Sequence, residues 1–248
     1  MRRQLGRVVG GLLLALLIVS VGLNVYLYRL TDRYYRQLNT VRLDPLGMDS
    51  FPAQPEMAPL AQPIVLFYGD SRAQQWPAPS DLPQFTFINR GIGSQTSAQV
   101  ALRFEAHVTP IQPDVLVVQV CVNDLKTIPL FPENRETIVD TCKANIDKIV
   151  ADAQAVGAVV VLTTIFPVGE PPLQRRPVWS SEIAAAINTV NQHIRSLDVP
   201  VLDAYHLLAD ERGLLNPAYS VDELHLNPAG YALLNTELRR LLLTIRDE

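Results

Sequence analysis

Three short polar segments of the sequence carry residue types that together could perform acyl transfer. Gly69-Asp70-Ser71 ends an apolar run, so a hydroxyl group directly follows a segment typical of a buried strand. Asp222 and His225 are separated by two residues, and in a tight turn that carboxylate can reach imidazole Nδ1 and leave Nε2 free as a base. Asn123 adds a side-chain amide. A hydroxyl, an imidazole, a carboxylate and an amide donor are the groups that nucleophilic catalysis at an acyl carbon requires.

Each segment taken alone also has a simpler explanation. Gly-Asp-Ser after a strand is common turn chemistry, Asn and Asp often leave strands and cap helices, and Asp-x-x-His can be a surface pair. Gly91 and Gly93 could serve only a loop that needs positive φ. The segments taken together favour an active site more strongly, because they all follow strand ends or precede a helix within one domain of ordinary size.

The elements that must position these residues alternate between apolar strands and amphipathic helices. We predict strands over Ile64–Tyr68, Phe85–Ile88, Val115–Val120, Val159–Thr163 and Val201–Asp203. We predict helices over Thr96–His107, Arg135–Val156, Ser180–Leu197 and Pro228–Ile245. Continuous apolar strands alternating with helices indicate a parallel sheet buried on both faces. The predicted fold is therefore α/β, a flavodoxin-like three-layer α/β/α sandwich with a five-stranded parallel sheet, whose strand ends gather the polar segments at one edge.

The N-terminal segment differs from the rest of the chain. Val8–Tyr28 contains no charged residue, and about 20 apolar residues span a bilayer as a helix. Arginines precede it at positions 2, 3 and 7, and tyrosines at positions 26 and 28 fit an interfacial belt. We predict a single-pass transmembrane anchor over residues 1–30. A cleaved signal peptide is the alternative, with Ser20-Val21-Gly22 as a small-x-small site. Both place the main domain outside the cytosol, in a periplasmic or extracellular compartment.

Composition bounds the remaining possibilities. Residues 31–62 are predicted to form a stalk and Pro-rich linker, and residues 63–248 the folded domain. A net charge of −4 gives no electrostatic basis for binding nucleic acid. The four histidines show no metal-ligand spacing, so no metal site is expected. Two cysteines, Cys121 and Cys142, could form one disulfide outside the cytosol or remain buried thiols, and the sequence leaves both open.

The ordered segments resemble the SGNH or GDSL-type serine hydrolases, from Ile64 to the last helix. The resemblance implies that Ser71 is the nucleophile and that "DELHLNPAGY", from Asp222 to Tyr231, supplies Asp222 as the acid and His225 as the base. It also implies an oxyanion hole from a backbone N–H in "INRGIGSQTSAQVALRF", at Gly93 or Ser94, and from the Asn123 amide in "VND". No metal or organic cofactor is implied.

Three positions depart from the family pattern. Arg72 follows the nucleophile where an aliphatic residue is usual. Ser94 stands where the donor glycine is usual, with Gly93 one residue earlier. Cys121 opens the third segment in place of glycine.

The function expected from these observations is a membrane-anchored serine esterase that cleaves carboxylic esters, either lipid acyl esters or O-acetylated glycans. Two alternatives stay open: an O-acyltransferase acting on envelope glycans, and a non-catalytic binding module on a hydrolase scaffold. The apolar loop Leu125–Asn134 is either an acyl pocket or a packed surface loop. In the loop Val168–Trp179, Arg175 and Arg176 either meet an anionic head group or polysaccharide or simply solvate the surface.

Overall fold

The computed structural model describes residues 2–51 and 62–247. The chain divides into two compact units, one ending at Gly47 and the other beginning at Met48. Residues 52–61, which belong to the predicted Pro-rich linker, lie outside the described residues.

The first unit is a single long helix, α1 (Arg2–Leu43), of 42 residues. At about 1.5 Å per residue it is roughly 60 Å long. By length and composition it is apolar enough to cross a membrane, and a signal sequence would have the same properties. The helix continues beyond Tyr28, so the first part of the predicted stalk is helical.

The second unit is built on five parallel strands. They are β1 (Ile64–Gly69), β2 (Thr86–Gly91), β3 (Val115–Gln119), β4 (Val159–Thr163) and β5 (Val201–Leu202). Their order in the sheet is β2-β1-β3-β4-β5, the flavodoxin-like order. The predicted α/β fold is therefore confirmed. The register pairs Gly69 with both Gly91 and Gln119, so three strands end level at the edge where the polar segments emerge.

Helices cover both faces of this sheet. They are α2 (Ser71–Gln74), α3 (Ser97–Leu102), α4 (Phe104–His107), α5 (Val122–Leu125), α6 (Arg135–Ala155), α7 (Ser181–Ser196), α8 (Ala204–Leu208) and α9 (Pro228–Asp247). Strand side chains alternate between the two faces. Leu66 and Val118 join the core that contains α6 and α7, whereas Val65 and Val117 join the core that contains α9. The three-layer arrangement follows from this double burial.

Two predicted elements differ most from the structure. The helix expected over Thr96–His107 is two helices, because the backbone at Arg103 leaves helical geometry with φ −92° and ψ 6°. The Arg103 side chain is buried and hydrogen-bonded inside the domain, which offsets the interruption. The second strand, expected to end at Ile88, continues to Gly91 because these additional residues pair with the end of β1.

Two glycines allow the short helix α2 to lie directly against the strand ends. A Cβ on Gly69, whose φ is +149°, would lie 1.8 Å from the Gln119 carbonyl oxygen. A Cβ on Gly91 would lie 2.2 Å from the backbone nitrogen of Gln74 in α2. Both contacts are with backbone, which cannot move aside as a flexible side chain can. The position of Ser71 therefore depends on these two residues lacking a side chain.

Gly91→Ala is expected to lower the free energy of unfolding by about 3 kcal/mol, because the new methyl group overpacks a backbone contact. Gly157→Ala is the matched control, since Gly157 has φ +84° but nothing lies within 4 Å of its Cβ position. That control should cost only about 1 to 2 kcal/mol of backbone strain. Denaturant titration of the full chain measures both values. Equal losses for the two variants would show that the close approach at Gly91 is unimportant.

Candidate active site

Ser71 is the first residue of α2, immediately after β1 ends. Asp70 caps this helix, because its Oδ1 accepts a hydrogen bond from the Arg72 N–H at 2.9 Å. The first N–H groups of a helix have no carbonyl partner within the helix. The Ser71 N–H is one of these, and within residues 62–247 no protein acceptor is found for it. The serine thus presents both its hydroxyl and a free N–H.

The structure brings Ser71, His225 and Asp222 into one hydrogen-bonded chain. Ser71 Oγ lies 3.0 Å from His225 Nε2, although the two residues are 154 positions apart. His225 Nδ1 lies 2.9 Å from Asp222 Oδ2 and 3.0 Å from Oδ1. The order hydroxyl, imidazole and carboxylate matches the arrangement of a serine nucleophile, its base and the acid that orients the base. All three were singled out from the sequence.

The Asp222 carboxylate is held in its ionised form by donors from its own turn. Its Oδ1 accepts from the backbone N–H groups of Leu224 and His225, each at 2.8 Å. Burial disfavours the charge, but these bonds and the His225 ring outweigh it and lower the Asp222 pKa below its usual value. An ionised Asp222 holds the imidazole with its proton on Nδ1 and leaves Nε2 to face the serine.

The turn that carries Asp222 and His225 is closed by backbone hydrogen bonds. The Val221 N–H donates to the His225 carbonyl at 2.9 Å. Asn227 follows the turn and caps α9, because its Oδ1 accepts from the Gly230 N–H at 3.0 Å. The His225 backbone is thereby tied to the long C-terminal helix.

The candidate oxyanion donors lie in the segments that follow β2 and β3. A Cβ on Gly93 would lie 3.8 Å from Ser71 Cβ, so this backbone passes directly beside the nucleophile. Ser94 has φ +66°, a left-handed conformation in a position where glycine is usual. Within the described residues neither N–H has a hydrogen-bond acceptor, so both are available as donors.

Asn123 is buried with its amide fixed at both ends. Nδ2 donates to the Gln95 carbonyl at 2.9 Å, which leaves its second hydrogen available. Oδ1 accepts from Lys126 Nζ at 2.6 Å, so the amide cannot rotate by half a turn without losing both bonds. Because Gln95 follows Ser94, Asn123 lies beside the loop that passes the nucleophile. Lys126 was not singled out from the sequence.

Residues 66–233 of the chain match the model of the GDSL-like lipase/acylhydrolase family. The chain belongs to this family. Its members hydrolyse esters, so this GDSL-like chain is an ester-hydrolysing enzyme. A comparison with curated proteins found no match.

Crystal structures similar to this GDSL-like chain cover most of its folded unit. A GDSL-like lipase from Bacteroides thetaiotaomicron is 21% identical, with 82% of this chain and 97% of that one covered and a TM-score of 0.61. The lipase/acylhydrolase from Enterococcus faecalis is 22% identical, with 73% and 95% covered and a TM-score of 0.54. An acetylxylan esterase from Geobacillus stearothermophilus is 18% identical, with 72% and 93% covered and a TM-score of 0.55. At these identities the likeness establishes the fold.

Polar residues that sequence reasoning missed connect the segments of the GDSL-like site, among them the partly buried Asp124 and the buried Arg103. Asp124 accepts from Ser97 Oγ at 2.7 Å and from the Ser97 N–H at 2.9 Å, which joins the β3 end to α3. Arg103 donates to Gln95 Oε1 at 2.6 Å and to the Gly69 carbonyl at 2.9 Å. Nothing in the local pattern distinguishes these side chains from exposed ones, because their partners lie far away in sequence.

Cys121 takes a left-handed backbone conformation, with φ +86°, where the GDSL family usually has glycine. The structure joins its Sγ to that of Cys142 in α6, with the two Cα atoms 6.0 Å apart, a normal separation for a disulfide. The structure therefore favours the disulfide over two free thiols. The bond ties the residue that opens the Asn123 segment to a core helix.

The two loops that were expected to meet substrate differ in exposure. In Leu125–Asn134, Ile128 is buried, while Leu130 and Phe131 are about half exposed, so the loop is partly packed and partly open. Arg175 forms an ion pair with Glu223, the neighbour of Asp222, and is not a free surface cation. A cavity of about 470 Å³ opens beside that pair and is lined by residues that include Asp222, Glu223 and Gly169.

Asp70 is fully buried next to the nucleophile. Burial raises its pKa to about 6, although the Arg72 charge and N–H hydrogen bond act in the opposite direction. Within the described residues its Oδ2 has no hydrogen-bond partner. Because the folded-state pKa lies above the ordinary value, the fold binds the proton more tightly than the unfolded chain does.

The unfolding free energy of the wild type, relative to Asp70→Asn, is therefore expected to fall as the pH rises from about 4 to 6. The loss should approach about 3 kcal/mol, since each pKa unit corresponds to about 1.4 kcal/mol. Denaturant titrations of both full-length proteins between pH 4 and 7 measure it. Asp140→Asn, which removes an exposed carboxylate, controls for charge loss. If the unfolding free energy of the wild type relative to Asp70→Asn instead rises with pH, the Arg72 charge outweighs burial and lowers the Asp70 pKa.

Proposed function

We propose that this chain is a membrane-anchored serine hydrolase that cleaves carboxylic esters through an acyl-enzyme on Ser71. The observation that carries the proposal is the hydrogen-bonded chain from Ser71 Oγ through His225 to Asp222. Such a chain lets a hydroxyl lose its proton as it attacks a carbonyl carbon. The retention of all three residues argues against a decayed scaffold that only binds.

The proposed reaction has two halves that use the same base. Ser71 Oγ attacks the ester carbonyl while His225 Nε2 accepts the hydroxyl proton. His225 then donates that proton to the leaving alcohol, and an acyl-serine remains. In the second half, water attacks the acyl-serine after His225 takes one of its protons, and the carboxylic acid leaves as Ser71 regains its hydrogen. Asp222 stabilises the imidazolium in both halves.

The negative charge on the tetrahedral oxygen would be bound by three donors. These are the N–H of Ser71, the N–H of Gly93 or Ser94, and the second Nδ2 hydrogen of Asn123. Removal of one such donor typically lowers turnover by about 10²–10³-fold. Lys126 supports the last donor, because it fixes the Asn123 amide in the orientation that keeps Nδ2 toward the loop of Gln95.

Two ester classes fit the surroundings of the site, lipid acyl esters and O-acetylated glycans. Half-exposed Leu130 and Phe131 follow Asn123, and Val221, which is 70% exposed, precedes Asp222. Apolar side chains on the loops that carry the site residues favour an ester with an apolar acyl group. The acetylxylan esterase among the structural relatives is the reason for keeping the acetylated glycan as the second class.

The N-terminal helix α1 is proposed to anchor the chain with its folded domain outside the cytosol. The uncharged run within α1 and the arginines before it support an anchor. The disulfide between Cys121 and Cys142 supports an oxidising compartment, since such bonds are rare in the cytosol.

Ser71→Ala is expected to abolish hydrolysis of p-nitrophenyl esters by the full chain and its labelling by a fluorophosphonate. Both reactions need the Oγ atom as the nucleophile. Activity across acyl lengths, together with acetylated xylan, separates the two substrate classes. Ser196→Ala, at an exposed serine at the end of α7, is the matched control and should retain activity. Equal rates for wild type and Ser71→Ala would overturn the assignment.

The same experiment tests the anchor when it is performed on fractionated cells. The Ser71-dependent activity should remain with the membranes after alkaline washing, because a transmembrane helix is not extracted by charge or pH. A soluble active chain that lacks the N-terminal residues would show that α1 is a cleaved signal.

A further inference from the structure

Arg72, the residue immediately after the candidate nucleophile, is fully buried. An aliphatic side chain is usual at this position in the family, and a buried guanidinium is costly unless its donors are satisfied. Burial lowers the Arg72 pKa to about 10, with the charges of Asp70, Tyr231 and Asp222 acting in the opposite direction. The contacts of the guanidinium must offset this cost.

The guanidinium of Arg72 donates to backbone carbonyls on two distant loops. Nε donates to the Leu224 carbonyl at 2.9 Å. Nη1 donates to the Phe166 carbonyl at 3.2 Å and Nη2 to the Pro167 carbonyl at 3.4 Å. The guanidinium carbon also lies 5.0 Å from the centre of the Phe166 ring. One side chain therefore connects α2, the loop after β4 and the turn that carries the base.

The contact with Leu224 is the one that bears on catalysis. The Leu224 carbonyl belongs to the peptide bond that joins Leu224 to His225, the candidate base. Ser71 and Arg72 are consecutive in α2, and Leu224 and His225 are consecutive in the turn. The bond from Arg72 to Leu224 thus runs beside the bond from Ser71 to His225 and connects the same two segments.

The backbone of Arg72 is itself held in place. The Tyr231 hydroxyl donates to the Arg72 carbonyl at 3.0 Å, and the Arg72 N–H donates to Asp70 Oδ1. The buried Asp70 carboxylate lies two positions earlier in the chain and offsets part of the guanidinium charge. Arg72 is therefore a fixed point from which the turn of His225 is positioned.

We propose that Arg72 is a positioning residue for the reaction, whose guanidinium holds the peptide before His225 so that Nε2 stays within hydrogen-bond distance of Ser71 Oγ. The proposal rests on the proposed function of Ser71 and His225. Arg72, which departs from the family pattern, would thus have a role in aligning Ser71 and His225. A misplacement of about 1 Å in a reacting group can lower turnover by roughly 10²-fold.

The test compares Arg72→Met and Arg72→Lys in the full chain. Met fills a similar volume with no donor, as the usual aliphatic residue would, and Lys keeps the charge but cannot reach three carbonyls. For Arg72→Met we expect kcat for p-nitrophenyl acetate to fall by about 10²-fold with KM nearly unchanged, because alignment and not binding is lost. Arg72→Lys should recover part of kcat. Thermal unfolding of each variant shows which are folded.

A crystal structure of Arg72→Met provides a readout that does not depend on activity. The distance from Ser71 Oγ to His225 Nε2 is expected to lengthen beyond hydrogen-bond range, whereas an unchanged distance would overturn the proposal. A folded Arg72→Met or Arg72→Lys with wild-type kcat would also overturn it. If Arg72→Met does not fold, the kcat of Arg72→Lys is the test: a reduced kcat supports the proposal and a wild-type kcat overturns it. If Ser71→Ala keeps wild-type activity, the proposed function is rejected. The distance from Ser71 Oγ to His225 Nε2 in Arg72→Met would still test the positioning role of Arg72.

Discussion

The hydrogen bond between Ser71 Oγ and His225 Nε2 is the interaction on which the rest of the site depends. It joins residues 154 positions apart at 3.0 Å, so it exists only if the β1 end and the turn before α9 are both held in place. The parallel strands hold the end of β1 in place, because their carboxyl ends lie level at one edge of the sheet. The turn of Asp222 and His225 is closed by a backbone hydrogen bond and is continuous with α9, and this holds His225 in place.

Buried charged and amide side chains help to hold these segments in place. Arg72 and Arg103 are both fully buried, and each donates to main-chain carbonyls of segments that carry the site. Every residue has a main-chain carbonyl, so a buried arginine can link loops whatever their sequence. Burial in the same region raises the pKa of Asp70, although the Arg72 charge acts in the opposite direction. The strand ends are thus fixed by side-chain contacts as well as by the sheet.

The sheet and the residues of the candidate site could be predicted from the sequence because their signals are local. Continuous apolar runs indicated all five strands, and Ser71, Asp222 and His225 lie in short segments with recognisable spacing. The contacts of Arg72, Arg103 and Lys126 could not be predicted, since a charged residue in a short segment looks the same whether it is buried or exposed. The cysteine pair was undecided for a similar reason, because pairing depends on the distance between β3 and α6.

The central claim is that one serine is aligned with one imidazole and with a pocket for negative charge. A crystal structure of the full chain after reaction with a fluorophosphonate tests it most directly. The account predicts phosphorus bonded to Ser71 Oγ, with the phosphoryl oxygen within hydrogen-bond distance of Asn123 Nδ2 and of the Gly93 or Ser94 N–H. Phosphorus on a different residue, or a phosphoryl oxygen directed into solvent, would contradict it.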